Sequence, residues 1–250
     1  MRKILTSLLL LSLAFICRAQ DYATANAVEG TTIIRHKGYT TCYSHETFCP
    51  VWVGWELTSD ETWGEHSRTD EFTCDPGMNG SQATTFDYSR SGYDRGHMAP
   101  AADMKWSATA MEESFYMTNV CPQDNGLNAG MWLKLEKKCR YWAKCYGKVW
   151  IICGPVFRSG KAPRYIGKEN RVRVPDAFFK AVLKQHTDGT FEAIAFVMDN
   201  ADLGDTGDVR GYVADLSEVE RLTGLSLFNE LPEKSAVHIR KGQNTKYWRW

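Results

Sequence analysis

The ten residues Ser91-Gly92-Tyr93-Asp94-Arg95-Gly96-His97-Met98-Ala99-Pro100 constrain this chain more than any other stretch. They place a cation, a glycine and an imidazole within three positions, after an aromatic residue and before a proline. Hydrolysis of a phosphodiester needs a base to activate water and positive charge to meet the phosphate as negative charge builds up. Arg95 and His97 offer both from one short segment. An unperturbed imidazole titrates near pH ~6.5, so His97 can take a proton from water at neutral pH without standing permanently charged. Gly96 lacks a Cβ and lets backbone or substrate come close beside that base. A histidine taken at random is a surface or core residue, and His36, His45, His66, His186 and His238 sit in no comparable context.

With 250 residues the chain can bury a sizeable core. It shows no repeat, low-complexity tract or Pro/Ser-rich linker, which favours a single domain over residues 20–250. Formal net charge is zero, so any attraction for phosphate comes from local placement of Arg and Lys rather than from a basic chain. Arg2-Lys3, the apolar run Ile4 to Ile16 and Cys17-Arg18-Ala19 read as a secretory signal peptide over residues 1–19, too short for a comfortable membrane span. A lipid-anchored reading through Cys17 suffers from the bulky Phe15-Ile16 before it. Cleavage after Ala19 removes three of the 30 cations and none of the 30 acids, which leaves a slightly acidic protein. The expected location is therefore secreted or periplasmic, with no stable membrane association.

Export implies an oxidising compartment, where disulfide bonds form. Cys42, Cys49, Cys74, Cys121, Cys139, Cys145 and Cys153 remain after cleavage. Their number is odd, so at least one is free or pairs between chains. Cys42 and Cys49 flank a short polar stretch and could close it. In one continuous helix Cys139 and Cys145 would stand ~9 Å apart along the axis, out of disulfide reach. A zinc site is not indicated, because neither Cys-x-x-Cys nor His-x-x-x-His occurs.

Val51 to Leu57 reads as a buried strand, as does Lys148 to Cys153, stopped by Gly154-Pro155. Phe178 to Leu183 and Phe191 to Met198 form a hairpin across Thr187-Asp188-Gly189. The polar stretch from Asp60 to Ser91 is a long irregular loop, and loops of that length are usually functional. Helices are expected at Ser107 to Tyr116, at Ala129 to about Tyr141 and at Ser217 to Leu222. The last has Ser217 and Glu220 as a capping box and Gly224 as its stop. Strands interleaved with helices and antiparallel hairpins define an α+β class.

A second polar group, Asn119, Gln123, Asn128 and Glu136, follows in otherwise apolar or small surroundings. Asp94-Arg95-Gly96-His97 together with Leu127-Asn128-x-x-x-Trp132-x-x-Leu135-Glu136 resembles the DNA/RNA non-specific endonuclease family, whose signature is Asp-Arg-Gly-His followed by an Asn-bearing metal-binding helix. Ile151 to Phe157, Val174 to Lys180 and Ile194 to Met198 look like the family's later core strands, and Leu216 to Leu225 like its closing helix. The likeness runs in order from about Tyr43 to Leu231, the expected core, and leaves the first forty residues and Tyr247-Trp248-Arg249-Trp250 unmatched. It implies a mixed, largely antiparallel sheet with flanking helices around a ββα-metal (His-metal finger) active-site core. It further implies a metal-dependent endonuclease acting on DNA and RNA with little sequence specificity, which the expected signal peptide would make a secreted one.

The resemblance assigns roles residue by residue. His97 is the general base, and Asn128 holds Mg²⁺, with Mn²⁺ the alternative ion. A neutral amide oxygen suits the task, since it leaves the ion's charge uncancelled. The bland reading of Asn128 is a helix N-cap. Glu136 orients water at the ion; on an ideal helix it lies ~12 Å beyond Asn128, too far to bind the same ion. Arg140 supports catalysis or makes an i,i+4 ion pair with Glu136. Asn119 is the family's second Asn near the site, or a loop residue bonding backbone. Arg95 holds phosphate or pairs with Asp94. Arg68 matches an upstream arginine that stabilises the pentacoordinate phosphate, or is a solvated loop charge. Two other classes are open: an inactive nuclease-fold module that binds nucleic acid or a protein partner, and a structural secreted protein held by disulfides. The second explains the cysteines but not the polar cluster.

Overall fold

The structure, a computed structural model, describes residues 21–242 and 245–250, so the expected signal segment lies outside the described residues. Along the chain come β1 (Thr31–Arg35), β2 (Thr40–Ser44), β3 (Cys49–Thr58), β4 (Asp94–His97), α1 (Ala108–Glu113), β5 (Val120–Gln123), α2 (Leu133–Tyr146), β6 (Lys148–Val156), β7 (Arg164–Ile166), β8 (Val172–Val174), β9 (Ala177–Gln185), β10 (Phe191–Asp199), β11 (Val213–Ala214), α3 (Leu216–Thr223) and α4 (Glu233–Ile239). A seven-stranded sheet in the order β1-β2-β3-β6-β9-β10-β11 dominates, and all its pairings are antiparallel. The α+β class and the largely antiparallel sheet are as the sequence implies.

Both faces of this sheet are covered, which is why its central strands read as nearly unbroken apolar runs. On one face Val53, Trp55, Leu57, Ile151, Val182 and Phe196 pack with Trp132, Leu135 and Trp142 of the α2 region. On the other, Trp52, Ile152, Phe179 and Leu183 pack with Leu216 and Val219 of α3, Ile239 of α4 and Ala23 and Ala25. The C-terminal tail joins the first layer: Trp248 is buried, its ring 4.7 Å from that of Trp142, whose Nε1 donates to Arg249 O at 2.6 Å. The sheet itself begins at Thr31, upstream of the expected core.

Local departures from the sequence reading have physical causes. β6 runs through Gly154-Pro155 because β3 stops pairing beyond Cys153, leaving one side of β6 open where a proline is tolerated. α3 is capped at Asp215, not Ser217, while Glu220 accepts from Leu227 N at 2.8 Å and pairs with Arg240 at 2.6 Å. Gly224 does end the helix, with φ +72°. All seven described cysteines are free thiols, so among the described residues no disulfide supports the fold. Cys42 and Cys49 cannot bridge, because they point into opposite layers, Cys42 toward Trp52 and Cys49 toward Val53 and Trp55. α2 is continuous from Cys139 to Cys145, which keeps that pair apart as well.

β4 and β5 form a separate two-stranded ribbon with His97 opposite Val120 and Gly96 opposite Cys121. It leads through a wide, π-type turn over Leu127–Trp132 into α2, giving the strand–strand–helix order of the expected core. Gly96 is needed here for packing. A Cβ on it would stand 2.2 Å from Oε1 and 2.5 Å from Cβ of the buried Gln123. We expect Gly96→Ala to lower unfolding free energy by roughly 1–3 kcal/mol through overpacking, measured by urea melts. An unchanged midpoint would show that the ribbon has slack.

Candidate active site

The ribbon fixes His97 by way of Asn119. The Asn119 side chain is fully buried; Oδ1 accepts Ala99 N at 2.9 Å, and Nδ2 donates to Ala99 O at 2.9 Å and Ser114 O at 2.8 Å. Asn119 O also accepts Met98 N at 2.9 Å. The amide is therefore spent on backbone, and what it does is lock the chain just after His97. The imidazole lies between two rings, 5.0 Å from Phe72 and 4.9 Å, edge-on, from Phe115. Its Nε2 has no hydrogen-bond partner. Burial, with the nearby Arg68 and Arg95, pushes His97 down to about 3, so the ring is neutral at pH 7 with a lone pair to offer.

Asn128 sits in the wide turn, and the expected N-cap role belongs elsewhere. Helical turns begin earlier, at Asn125, with Asp124 capping through Oδ1 to Gly126 N at 2.9 Å. Asn128 Nδ2 donates to Asp94 at 2.9 Å, and Asn125 Nδ2 donates to the same carboxylate oxygen at 3.0 Å. With its NH₂ engaged, Asn128 presents its carbonyl oxygen as the free end of the amide. The turn is not an ideal helix: Gly130 has φ −99° and ψ −109°, so the ~12 Å separation expected for Glu136 rests on a geometry the chain does not adopt.

Glu136 and Arg140 belong to a buried charge cluster that the sequence conceals. Arg140 donates to Asp103 at 2.7 Å, not to Glu136, so the expected i,i+4 pair is replaced by a long-range one. Asp103 also accepts Trp55 Nε1 at 3.0 Å. Lys180 of β9 is wholly buried, and its Nζ lies 4.5 Å from the Trp132 ring and 4.9 Å from that of Trp55. Nearby Cys153, Cys139, Glu136 and Asp103 outweigh the cost of burial and raise the Lys180 ammonium above its ordinary range. Burial pushes Glu136 up to about 7 despite the opposing fields of Lys180 and Arg140. Folding thus disfavours its ionisation, and stability falls as pH rises between about 4.5 and 7.

Arg68 and Arg95 stand at the surface of an open cleft of about 680 Å³ that Phe72, Phe86, Tyr93 and Asn128 also line. Arg95 does not pair with Asp94; its guanidinium lies over Phe72, 4.4 Å from the centroid. Arg68 lies over Phe115 at 5.1 Å and pairs with Asp70. Arg68 reaches both halves of the site, since its charge acts on His97 and on Glu136. The donors lining the cleft are amide, carboxylate and hydroxyl oxygens, with no thiol or imidazole, which is the hard set that suits Mg²⁺ or Mn²⁺. Sequence reasoning missed Phe72, Phe115, Asp103 and Lys180. The first two gave no polar signal, and the last two meet only through sheet topology.

A buried imidazole thus lies in the field of two arginines, with Asn128 on the wall of the same open cleft as those arginines. The chain belongs to the DNA/RNA non-specific endonuclease family, whose model matches residues 19–234. It is 34% identical over 199 residues to endonuclease G, mitochondrial, of Homo sapiens, covering 76% of this chain and 67% of that one. It is 32% identical over 224 residues to the mitochondrial nuclease of Saccharomyces cerevisiae, covering 82% and 68%. It therefore spans about two thirds of the length of these relatives. A chain in the crystal structure of the EndoG/EndoGI complex superposes with a TM-score of 0.76 at 29% identity, covering 81% of this chain and 88% of that one.

These relatives correct the expected location. They are mitochondrial nucleases, which overturns the secreted or periplasmic reading. Among the described residues no helix is long and apolar enough to cross a membrane.

Two stability measurements follow from the buried charges. His97 has a folded value below its ordinary 6.5, so the stability it confers is complete above pH 6.5 and is lost as pH falls toward 3. We expect His97→Phe to lose less stability than the parent between pH 7 and pH 4 in urea titrations; equal losses would mean the imidazole protonates freely in the fold. Lys180→Met removes one of the two cations near the buried Glu136 and Asp103, with Arg140 still on Asp103, and should cost about 1–3 kcal/mol by the same melts. A cost under 1 kcal/mol would show that the cluster is dispensable.

Proposed function

We infer that this chain is a metal-dependent endonuclease that hydrolyses phosphodiester bonds in both DNA and RNA with little sequence preference. The observation that carries the reading is the neutral, desolvated His97 within the field of Arg68 and Arg95, whose cleft also holds Asn128. His97 draws a proton from a water in line with the scissile bond. Arg95 and Arg68 take the phosphate oxygens and offset the charge of the transition state. A phosphate seated on these arginines cancels the field that helps hold His97 down, so the imidazole becomes a stronger base as substrate arrives. Asn128, oriented by Asp94, would hold Mg²⁺ or Mn²⁺, which when bound supplies Lewis-acid polarisation of the phosphate and its leaving 3′ oxygen.

Glu136 orients water beside the phosphate, Arg140 holds Asp103 and through it the buried cluster, and Asn119 keeps His97 in place. Contacts to phosphate rather than base edges leave cutting largely independent of sequence. One domain over residues 20–250 carries the activity, a reading supported by β1 at one end and the tail packed on α2 at the other.

Plasmid DNA and RNA should both be degraded in Mg²⁺, with EDTA abolishing the reaction and His97→Ala slowing it about 10²–10⁴-fold. The products should carry 5′-phosphate ends. Products with 3′-phosphates would contradict the assigned roles, and folded protein that binds nucleic acid without cutting it would make this a binding module.

A further inference from the structure

Phe86 is a large apolar side chain left 49% exposed on the wall of the active cleft. A lone exposed aromatic needs no explanation in general, but this one is held by a built support. Asp87, the next residue, is buried, and its carboxylate accepts the backbone N–H of Thr84 at 2.9 Å. It also accepts the backbone N–H of Lys168 at 3.1 Å and those of Glu169 and Asn170 at 2.9 Å, with the Asn170 side chain at 2.8 Å. These bonds hold the Asp87 carboxyl down to about 2, so it stays charged and the clamp stays closed at neutral pH. They tie the turn carrying Phe86 to the tip of the β7–β8 hairpin.

The same hairpin supplies cations to the aromatic wall. Lys168 Nζ lies 4.8 Å from the centroid of Phe86, and Arg164 donates to the Tyr93 hydroxyl at 3.0 Å. The cleft therefore pairs arginines suited to phosphate with a half-exposed ring on a clamped turn, one side of which an ammonium overlies. Positive charge tracking a backbone together with aromatic faces is what a single strand of nucleic acid requires. A base inside a duplex has both faces covered by its neighbours and offers none to Phe86. Stacking is also indifferent to which base is presented, in keeping with cutting that ignores sequence.

We propose that Phe86 is a stacking subsite for an unpaired base of the substrate strand, with Lys168 meeting the adjoining phosphate, so that the cleft prefers single-stranded or locally unstacked nucleic acid to an intact duplex. The proposal rests on the nuclease reading above and refines its substrate class. Lys168 acts at the edge of the subsite, and Asp87 is a positioning residue that fixes the turn.

The test is binding of a fluorescent single-stranded oligonucleotide by anisotropy in EDTA, beside cleavage of the same strand, free and in duplex, in Mg²⁺. Phe86→Ala should weaken single-strand binding roughly 5- to 150-fold, the span of one lost base–aromatic stack. It should raise KM for the single strand by a similar factor and change duplex cleavage less than about threefold. Phe86→Trp, which keeps a ring face, should restore single-strand binding, and the melting temperature should not move for either variant of this exposed side chain. Equal effects on the two substrates, or no effect on either, would overturn the proposal while leaving the nuclease standing. Phe86-dependent binding by a protein that cuts nothing would uphold the subsite and overturn the nuclease.

Discussion

A lysine ammonium wholly buried in the middle of a sheet is the constraint on which this architecture turns. Lys180 is wholly buried near the rings of Trp55 and Trp132, within the fields of Cys153, Cys139, Glu136 and Asp103. Asp103 arrives on a short turn after β4, and Glu136 on α2, with Arg140 of the same helix closing on Asp103 at 2.7 Å. The cluster forms where α2 and the turn after β4 pack on one face of the sheet, with Trp55 and Trp132 near the ammonium. An isolated charge there would be far costlier than a lost hydrophobic contact. The active-site helix is thereby seated by the Arg140–Asp103 ion pair as well as by its apolar stripe.

Desolvation then tunes the site in two opposite senses. For His97 it disfavours the cation, and Arg68 and Arg95 add to that, giving a base that is unprotonated well into the acid range. For Glu136 it disfavours the anion, and the nearby cations only partly offset it, leaving a carboxyl poised near neutrality. Arg68 acts on both groups, so a phosphate that binds it alters the proton affinity of each. Phe72 and Phe115, without polar atoms on their side chains, supply the dry walls on which this tuning depends.

Much of this was legible in the chain. β3, β6, β9 and β10 read as strands because both of their faces are buried, and the β9–β10 hairpin was marked by Thr187-Asp188-Gly189. Asp94 to His97 and Asn128 announced the chemistry by residue type and order. Strands β1, β2, β7 and β8 are short or partly exposed and gave no comparable run. The kink at Gly130 could not be read, because a lone glycine in a helical pattern is silent about its dihedrals. The partner of Arg140 escaped because local spacing favours Glu136, whereas the fold brings Asp103 from 37 residues away. The cysteines misled: the export reading suggested bridges, but five of the seven described ones are buried as small apolar groups.

The protonation of Glu136 reports burial, the Lys180 cluster and the docking of α2 together. Carboxyl-¹³C NMR of metal-free protein across pH 3–9, with Glu136→Gln to assign the signal, measures it directly. A midpoint at about 7 is the predicted result, and a midpoint at the ordinary 4.5 would show that Glu136 is solvated and that the buried cluster does not organise the site.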